Sequence, residues 1–312
     1  MSSRPGQKPP GRPIKRRDVY PGPVVDGREM SQRLPSRLRS RWQGLMVSRG
    51  EREEADVEGR IRAVPGVTRA NTVAMISPKG GVGKTTSSFV VGNLLSNHLR
   101  LRTIVVDANP DFGTLAALAP DRLRPERNLA DLINDLERVH TAAELGPYVS
   151  RLPSGLHLLG APTDAELMAK LGPEAYGHLL AFLSIFYEVI LLDLGTGITD
   201  PLARFAVERS DQLVLVTTPE FITSQSVAGA LRYLSHERAT LVLNQASGGD
   251  EGDIRQIEAH FREQRLRRSV TIPRDDQLRT MLDTGTYALD ALPRDTRMPI
   301  KLLGLAVAEQ LV

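Results

Sequence analysis

Three glycines and two lysines fall within the eight residues Lys79-Gly80-Gly81-Val82-Gly83-Lys84-Thr85-Thr86. A hydroxyl residue directly follows the second lysine, and the first lysine stands five positions ahead of it. Glycine lets backbone N–H groups close around an anion, because no Cβ blocks the approach. Upstream, Thr72 to Ser77 (TVAMIS) reads as a buried strand, and downstream TTSSFVVGNLLSNHL places apolar residues at helical spacing. The turn therefore ends on a helix N-terminus, whose unpaired N–H groups and positive dipole end favour negative charge. Such a turn binds a polyphosphate, surrounded by the backbone of Gly80, Gly81, Val82, Gly83, Lys84, Thr85 and Thr86.

Rigid elements must hold that turn in place. From residue 70 onward short apolar runs alternate with helical patterns. Strands are expected at 72–77, 102–108, 156–160, 188–194, 212–218, 239–245 and 269–272. Helices are expected near 84–98, 128–138, 163–186, 200–209, 222–236, 252–266, 275–283 and 296–311. Near-continuous Val, Ile and Leu indicate strands buried on both faces. The fold class that follows is α/β: a mostly parallel, doubly wound sheet with helices on both faces. Ligands on such sheets bind at the carboxyl ends of the strands.

The polar residues at those ends fit a nucleotide with Mg²⁺. Lys84 is placed to reach the β- and γ-phosphates, and the Thr85 hydroxyl to ligate the metal. A second acidic element is needed at a neighbouring strand end. VILLDLGTG supplies Asp193, followed by the Gly195-Thr196-Gly197 turn, and IVVDANPD offers Asp107. One aspartate after an apolar strand often only caps the next helix. Three strand ends meeting the loop's demands together point to nucleotide binding. His98, His140, His157, His178, His236 and His260 lack metal-ligand spacing and read as surface or packing residues. The hydroxyls of Thr86, Ser87 and Ser88 are explained by the start of a helix.

Composition bounds the rest. The 312 residues allow one large α/β domain with an extension. There is no cysteine, which excludes disulfides, thiolate zinc sites and cysteine-ligated iron–sulfur clusters. No apolar run approaches the roughly 18 residues needed to span a bilayer, and the basic N-terminus lacks a signal peptide's apolar core. A cytoplasmic location is expected. Residues 1–50 carry 12 Lys and Arg against 3 Asp and Glu, whereas the remainder carries 28 against 34. Seven of the 21 prolines also lie in that first segment. Residues 1–69 accordingly read as a basic tail and 70–312 as the nucleotide-binding body. The tail is expected to be disordered to about residue 30, with polar helices around RLRSRWQGLMV and EREEADVEGRIRA. Trp42 is suited to docking on the body. The tail has two readings: a solvated extension, or an electrostatic tether to DNA, RNA, an acidic partner or anionic lipid.

KGGVGKTT resembles the deviant Walker A motif of the ParA/MinD group of P-loop ATPases, and the similarity runs from about residue 70 to the end. DLGTGITDP (193–201) and TTPEFITSQSVAGAL (217–231) look like stretches of the MinD and FlhG branch. LVLNQ is similar to the adenine-reading segment, which implies a base contact for Asn244. IPRDDQL (272–278) resembles the loop that closes over the base, which brings in Pro273. The resemblance implies ATP and Mg²⁺ as cofactors, with Thr85, Asp107 and Asp193 about the metal. It also implies an ATP-dependent homodimer in which Lys79 reaches the phosphates bound by the other subunit. Nucleotide occupancy would then act as a switch.

Two departures stand out. Pro78 replaces the opening glycine of the strict pattern, which the family tolerates. The usual Asp-x-Asp reads Asp107-Ala108-Asn109, so an amide stands where the family has its water-orienting carboxylate. Asn109 can position a water but cannot accept its proton, and Asp111 is the nearby substitute. Slow hydrolysis, stimulated by an activating protein partner, is the expectation. The last segment, MPIKLLGLAVAEQLV, aligns with the family's last core helix, and its lone Lys301 offers little to anionic lipid. Membrane attachment there is not expected.

Two function classes result. The first is an ATPase switch that positions or regulates an assembly such as a chromosome or plasmid, a division site, a flagellum or a secretion apparatus. The second is a nucleic-acid-binding protein acting through its tail, with the ATPase body as a slow or degenerate scaffold. Non-specific DNA binding by the tail, or by Arg262, Arg265, Arg267 and Arg268, would fall steeply with salt.

Overall fold

Successive side chains of a strand point to opposite faces, so an unbroken apolar run feeds two cores at once. The computed structural model describes residues 49–77, 79–109, 114–169, 171–196, 201–220, 238–247, 250–263 and 268–312. The chain divides into two units, Met1–Glu53 and Glu54–Val312. In the first, the described residues are 49–53, where Arg49 pairs with Glu53 at 3.1 Å. The expectations for residues 1–48, including Trp42, lie outside the described residues, as do the helix at 222–236, Arg265 and Arg267.

Helix α1 (Arg49–Arg62) precedes β1 (Asn71–Ser77), α2 (Lys84–His98) and β2 (Thr103–Ala108). There follow α3 (Leu129–Asn134), α4 (Ala142–Leu145), β3 (Ser150–Arg151), β4 (His157–Leu159), α5 (Ala165–Ala169) and α6 (Pro173–Leu183). The second half runs β5 (Val189–Thr196), α7 (Pro201–Arg209), β6 (Gln212–Thr217), β7 (Ala239–Ala246), α8 (Glu251–Glu263), β8 (Arg268–Pro273), α9 (Asp276–Asp283) and α10 (Arg294–Ala308). Among the described residues the sheet has eight strands in the order β3-β4-β2-β5-β1-β6-β7-β8. Every neighbouring pair is parallel except β3 with β4. Seven strands match the expected runs; the antiparallel β3, two residues long, carries too little pattern to be read from sequence.

Along β1, Val73 and Met75 enter one core with Phe89 and Leu94 of α2 and Ile300 and Leu303 of α10. Ala74 and Ile76 enter the other, with Leu179 and Leu183 of α6 and Ala206 and Val207 of α7. The doubly wound arrangement expected from sequence is therefore present. Chain order reverses about β1, where strands added later flank it on both sides. The carboxyl end of β1 opens on that switch point, where such sheets bind ligands.

Two helices differ from expectation for local reasons. The pattern at 163–186 breaks into α5 and α6 because Gly172 is extended and Pro173 opens the second helix. The pattern at 128–138 stops at α3, where the Asp135 carboxylate is taken up by Arg127, Arg138 and the Tyr148 hydroxyl.

The compact unit begins at Glu54, ahead of the alternating pattern that starts near residue 70. Val57 and Ile61 of α1 pack against Leu305 of α10. Lys301, 1% exposed, donates to Glu54 Oε1 at 2.8 Å and to Glu58 Oε1 at 2.5 Å. The one lysine of α10 thus faces into the protein and not toward a lipid surface. Among the described residues no helix is long and apolar enough to cross a membrane.

Candidate nucleotide site

The phosphate loop leaves β1 through a small hydrogen-bonded turn. The Ser77 hydroxyl donates to the Lys79 carbonyl at 2.7 Å and accepts from the Lys79 N–H at 3.2 Å. Gly81 and Gly83 have φ of 76° and 90°, backbone that a side chain would strain. Gly83 is also the N-cap of α2, and no side chain caps that helix. The first-turn N–H groups of α2 therefore face the loop without a side-chain acceptor, as an anion site requires. A Cβ on Gly80 would sit 3.8 Å from Thr196 Cγ2, so the expected turn after Asp193 does lie against the loop. Gly197 and the rest of that turn, to residue 200, lie outside the described residues, as do Pro78 and Asp111.

Lys84 points under the loop into the sheet. Its Nζ lies 2.7 Å from Asp193 Oδ1, with the two side chains 8% and 2% exposed. Ser88, one helical turn on, places its hydroxyl 3.0 Å from the Lys84 carbonyl and 3.3 Å from Asp193 Oδ1. Ser88 thus does more than open a helix: it is a second polar neighbour of the buried carboxylate.

Asp107 and Asp193 are direct register partners on β2 and β5. Asp107 accepts the Leu115 N–H on Oδ2 at 3.0 Å and the Asn109 N–H on Oδ1 at 3.3 Å. Burial, with the Asp193 charge alongside, pushes the Asp107 carboxyl up to about 6. Two carboxylates facing one lysine form a site short of positive charge. Among the described residues no group of three or more His, Cys, Asp and Glu gathers to enclose a metal. That donor set fits Mg²⁺, which keeps waters and takes phosphate oxygens beside one or two carboxylates. Asn109, half-buried, follows directly on the end of β2.

The opposite wall comes from β7. Asn244, 5% exposed, donates from Nδ2 to the Val82 carbonyl at 2.8 Å. A Cβ on Gly83 would lie 2.0 Å from that same Nδ2, so only glycine fits there. Asn244, Thr86 and Pro273 then line one cavity of about 290 Å³ with Gln245, Arg274 and Leu278. The phosphate loop and the two base-side residues expected from sequence are therefore brought together.

Lys79 points elsewhere. Its Nζ lies 2.9 Å from Glu220 Oε2, and its side chain is 53% exposed. Sequence reasoning passed over Glu220 and Gln245. Glu220 lies within the resembling stretch 217–231 but was not singled out in it, while Gln245 adjoins Asn244 at a strand end and was legible on that ground.

The AAA domain family model matches residues 70–245, more than half of the chain. ESX-1 secretion-associated protein EspI of Mycobacterium tuberculosis H37Rv is 26% identical over 275 residues, covering 85% of this chain and 40% of EspI. The chain thus spans about two fifths of the length of that relative. Septum site-determining protein MinD of Bacillus subtilis is 26% identical over 198 residues, or 61% of this chain and 72% of MinD. Among solved structures, a ParA family ATPase from Chlorobium tepidum superposes with a TM-score of 0.64 at 23% identity, over 76% of this chain and 98% of that one. MinD from Pyrococcus horikoshii, complexed with Mg-ADP, gives 0.59 at 20% identity over 75% and 94%. At those identities the superpositions establish the shared fold.

Proposed function

The chain belongs to the AAA domain family of ParA/MinD-like P-loop ATPases, and from that premise we propose that it is an ATP-dependent dimerisation switch. Its cofactors in this reading are ATP and Mg²⁺, as the Mg-ADP complex of the Pyrococcus MinD supports. The carrying observation is the division of labour between two lysines. Lys84 is buried against Asp193, whereas Lys79, from the same loop, is presented at the surface beside Glu220. A cation held outside its own cradle can serve a second copy's polyphosphate, which stabilises only the paired state.

Within one subunit the N–H groups of Gly80 to Thr86 and the start of α2 bind the phosphates. Lys84 neutralises them, and Asn244 and Pro273 seat the base. Thr85, Asp107 and Asp193 would hold Mg²⁺, which when bound would supply charge neutralisation at the phosphoryl oxygens. Asn109 orients water without accepting its proton, with Asp111 nearby in sequence. Turnover is accordingly slow and is stimulated by an activating partner protein, in the cytoplasm.

The switch acts on a cellular assembly. A secretion apparatus draws support from EspI, whose similarity spans 85% of this chain. The family match, at 70–245, lies wholly outside the basic tail. Nothing in the comparisons supports the alternative of a nucleic-acid-binding protein working through that tail.

Light scattering with ATP, ADP and no nucleotide tests the proposal, run on wild type and Lys79→Ala. ATP should double the mass of the wild type alone. A mass independent of nucleotide in both would overturn it.

A further inference from the structure

In a regular strand, residues 244 and 245 would point to opposite faces of the sheet. At the end of β7 they do not. Gln245 adopts a φ of 59°, left-handed backbone that a non-glycine residue keeps only when its surroundings enforce it. The pairing of β7 with β8 shifts register between Leu243 and Ala246, across this residue. The result is that two successive amides reach the same loop. Asn244 Nδ2 donates to the Val82 carbonyl at 2.8 Å, and Gln245 Nε2 donates to the Gly81 carbonyl at 3.0 Å.

We propose that Gln245 is a positioning residue that orients the phosphate cradle by holding the Gly81 carbonyl toward β7. The carbonyl and the following N–H of a trans peptide point in opposite directions. Holding the Gly81 carbonyl toward β7 therefore turns the Val82 N–H to the far side of the loop. Holding the Val82 carbonyl does the same for the Gly83 N–H. Two adjacent donors are thus aimed away from β7 before any anion arrives. Left unheld, the glycine-rich loop would sample other peptide orientations, because Gly81 is permissive on both sides of φ. The strain at Gln245 is the cost of putting this second amide in reach.

Gln245 also lines the 290 Å³ cavity, so a direct contact with the base is the competing role. The inference rests on the nucleotide-binding reading above, and the experiment separates the two failures. Gln245→Gly removes the amide and relieves the left-handed strain, so relief of strain should offset the lost hydrogen bond to the Gly81 carbonyl in the nucleotide-free folded state. Gln245→Glu keeps the length but sets a carboxylate against the Gly81 carbonyl. Calorimetry on the full chain would measure binding of ATP·Mg²⁺ and of inorganic tripolyphosphate, which has no base. Both variants are expected to weaken both ligands by about tenfold, while the nucleotide-free thermal midpoint of Gln245→Gly stays at or above that of the wild type. Wild-type affinity for tripolyphosphate in Gln245→Gly, within twofold, would overturn the inference, and so would a fall in the nucleotide-free midpoint that accounts for the loss. A wild-type chain that takes up no ATP·Mg²⁺ would overturn the nucleotide reading itself.

Discussion

Lys79 Nζ and Glu220 Oε2 lie 2.9 Å apart, joining the start of the phosphate loop to the segment that follows β6. The side chains are 53% and 65% exposed, so the pair is worth only ~0–1 kcal/mol. That is too little to keep Lys79 from a partner's polyphosphate but enough to set a threshold for pairing. Glu220→Gln is expected to raise ATP-dependent association by up to about fivefold and to leave the thermal midpoint within about 2 °C. Light scattering over a concentration series reads the association directly. An unchanged dimer fraction would show that Glu220 does not restrain the lysine.

The phosphate-loop helix is held from behind by the last helix. A Cβ on Gly304 of α10 would lie 2.5 Å from Leu94 Cδ2 of α2, far inside any real contact. Gly304→Ala should therefore cost about 1–3 kcal/mol through overpacking. Leu94→Ala alone should cost about 2–5 kcal/mol by leaving a cavity. In the double variant the new methyl group occupies part of that cavity, so the two costs should sum to less than their separate values. Urea unfolding of the four proteins measures the coupling. Strict additivity would mean that the two helices do not meet at this point.

The loop, the strands and the strand-end aspartates were legible because each rests on a local signal. Val, Ile and Leu runs mark strands covered on both faces; Asp107 stands at the end of such a run in β2, and Asp193 follows the apolar run of β5, which continues to Thr196. Gly172-Pro173 likewise carried the break between α5 and α6 in plain view. What stayed hidden depends on distant partners. Helix α1 offers only Val57 and Ile61 as buried residues, so it reads as a polar tail. Its attachment comes from Glu54 and Glu58 meeting Lys301, across more than 240 residues of chain. The position of Gln245 beside Asn244 was in view, but its orientation was not: left-handed backbone is normally announced by glycine or asparagine, and here a glutamine is forced into it.

Among the described residues Arg100 is the other non-glycine residue with positive φ, at 57°, immediately after the Leu99 C-cap of α2. Glycine is the residue of choice there. The left-handed conformation costs an L-residue about 1–2 kcal/mol, against about 0.5–1 kcal/mol for the extra chain entropy that glycine loses on folding. Arg100→Gly should thus stabilise the protein by about 0.5–1 kcal/mol, whereas Arg100→Ala, which keeps the Cβ, should not. Denaturant midpoints compare them. Equal midpoints for the two variants would remove backbone strain as the explanation.

Arg297 holds both oxygens of Glu54, Nε to Oε1 at 2.6 Å and Nη2 to Oε2 at 3.0 Å, and Lys301 Nζ adds a third bond at 2.8 Å. The Arg297 hydrogen bonds first, against the opposing effect of burial, and then the one from Lys301 hold the carboxyl at about 2 against an ordinary 4.5. The unfolded chain takes up this proton near pH 4.5, while the folded chain stays ionised to about pH 2. The stabilisation is therefore complete above pH 4.5 and is lost progressively as pH falls from 4.5 toward 2. Glu54→Gln should cost about 1.5–3 kcal/mol at neutral pH, the range for hydrogen bonds to a charged group. The gap between wild type and variant should then close across that acid window, because the protonated carboxyl and the amide that replaces it offer Arg297 and Lys301 similar neutral acceptors. Urea unfolding of both proteins at pH 7, 4.5, 3.5 and 2.5 follows the gap. A difference that persists unchanged to the lowest pH would place the stabilisation in packing and not in the ionised carboxylate that fastens α1 to α10.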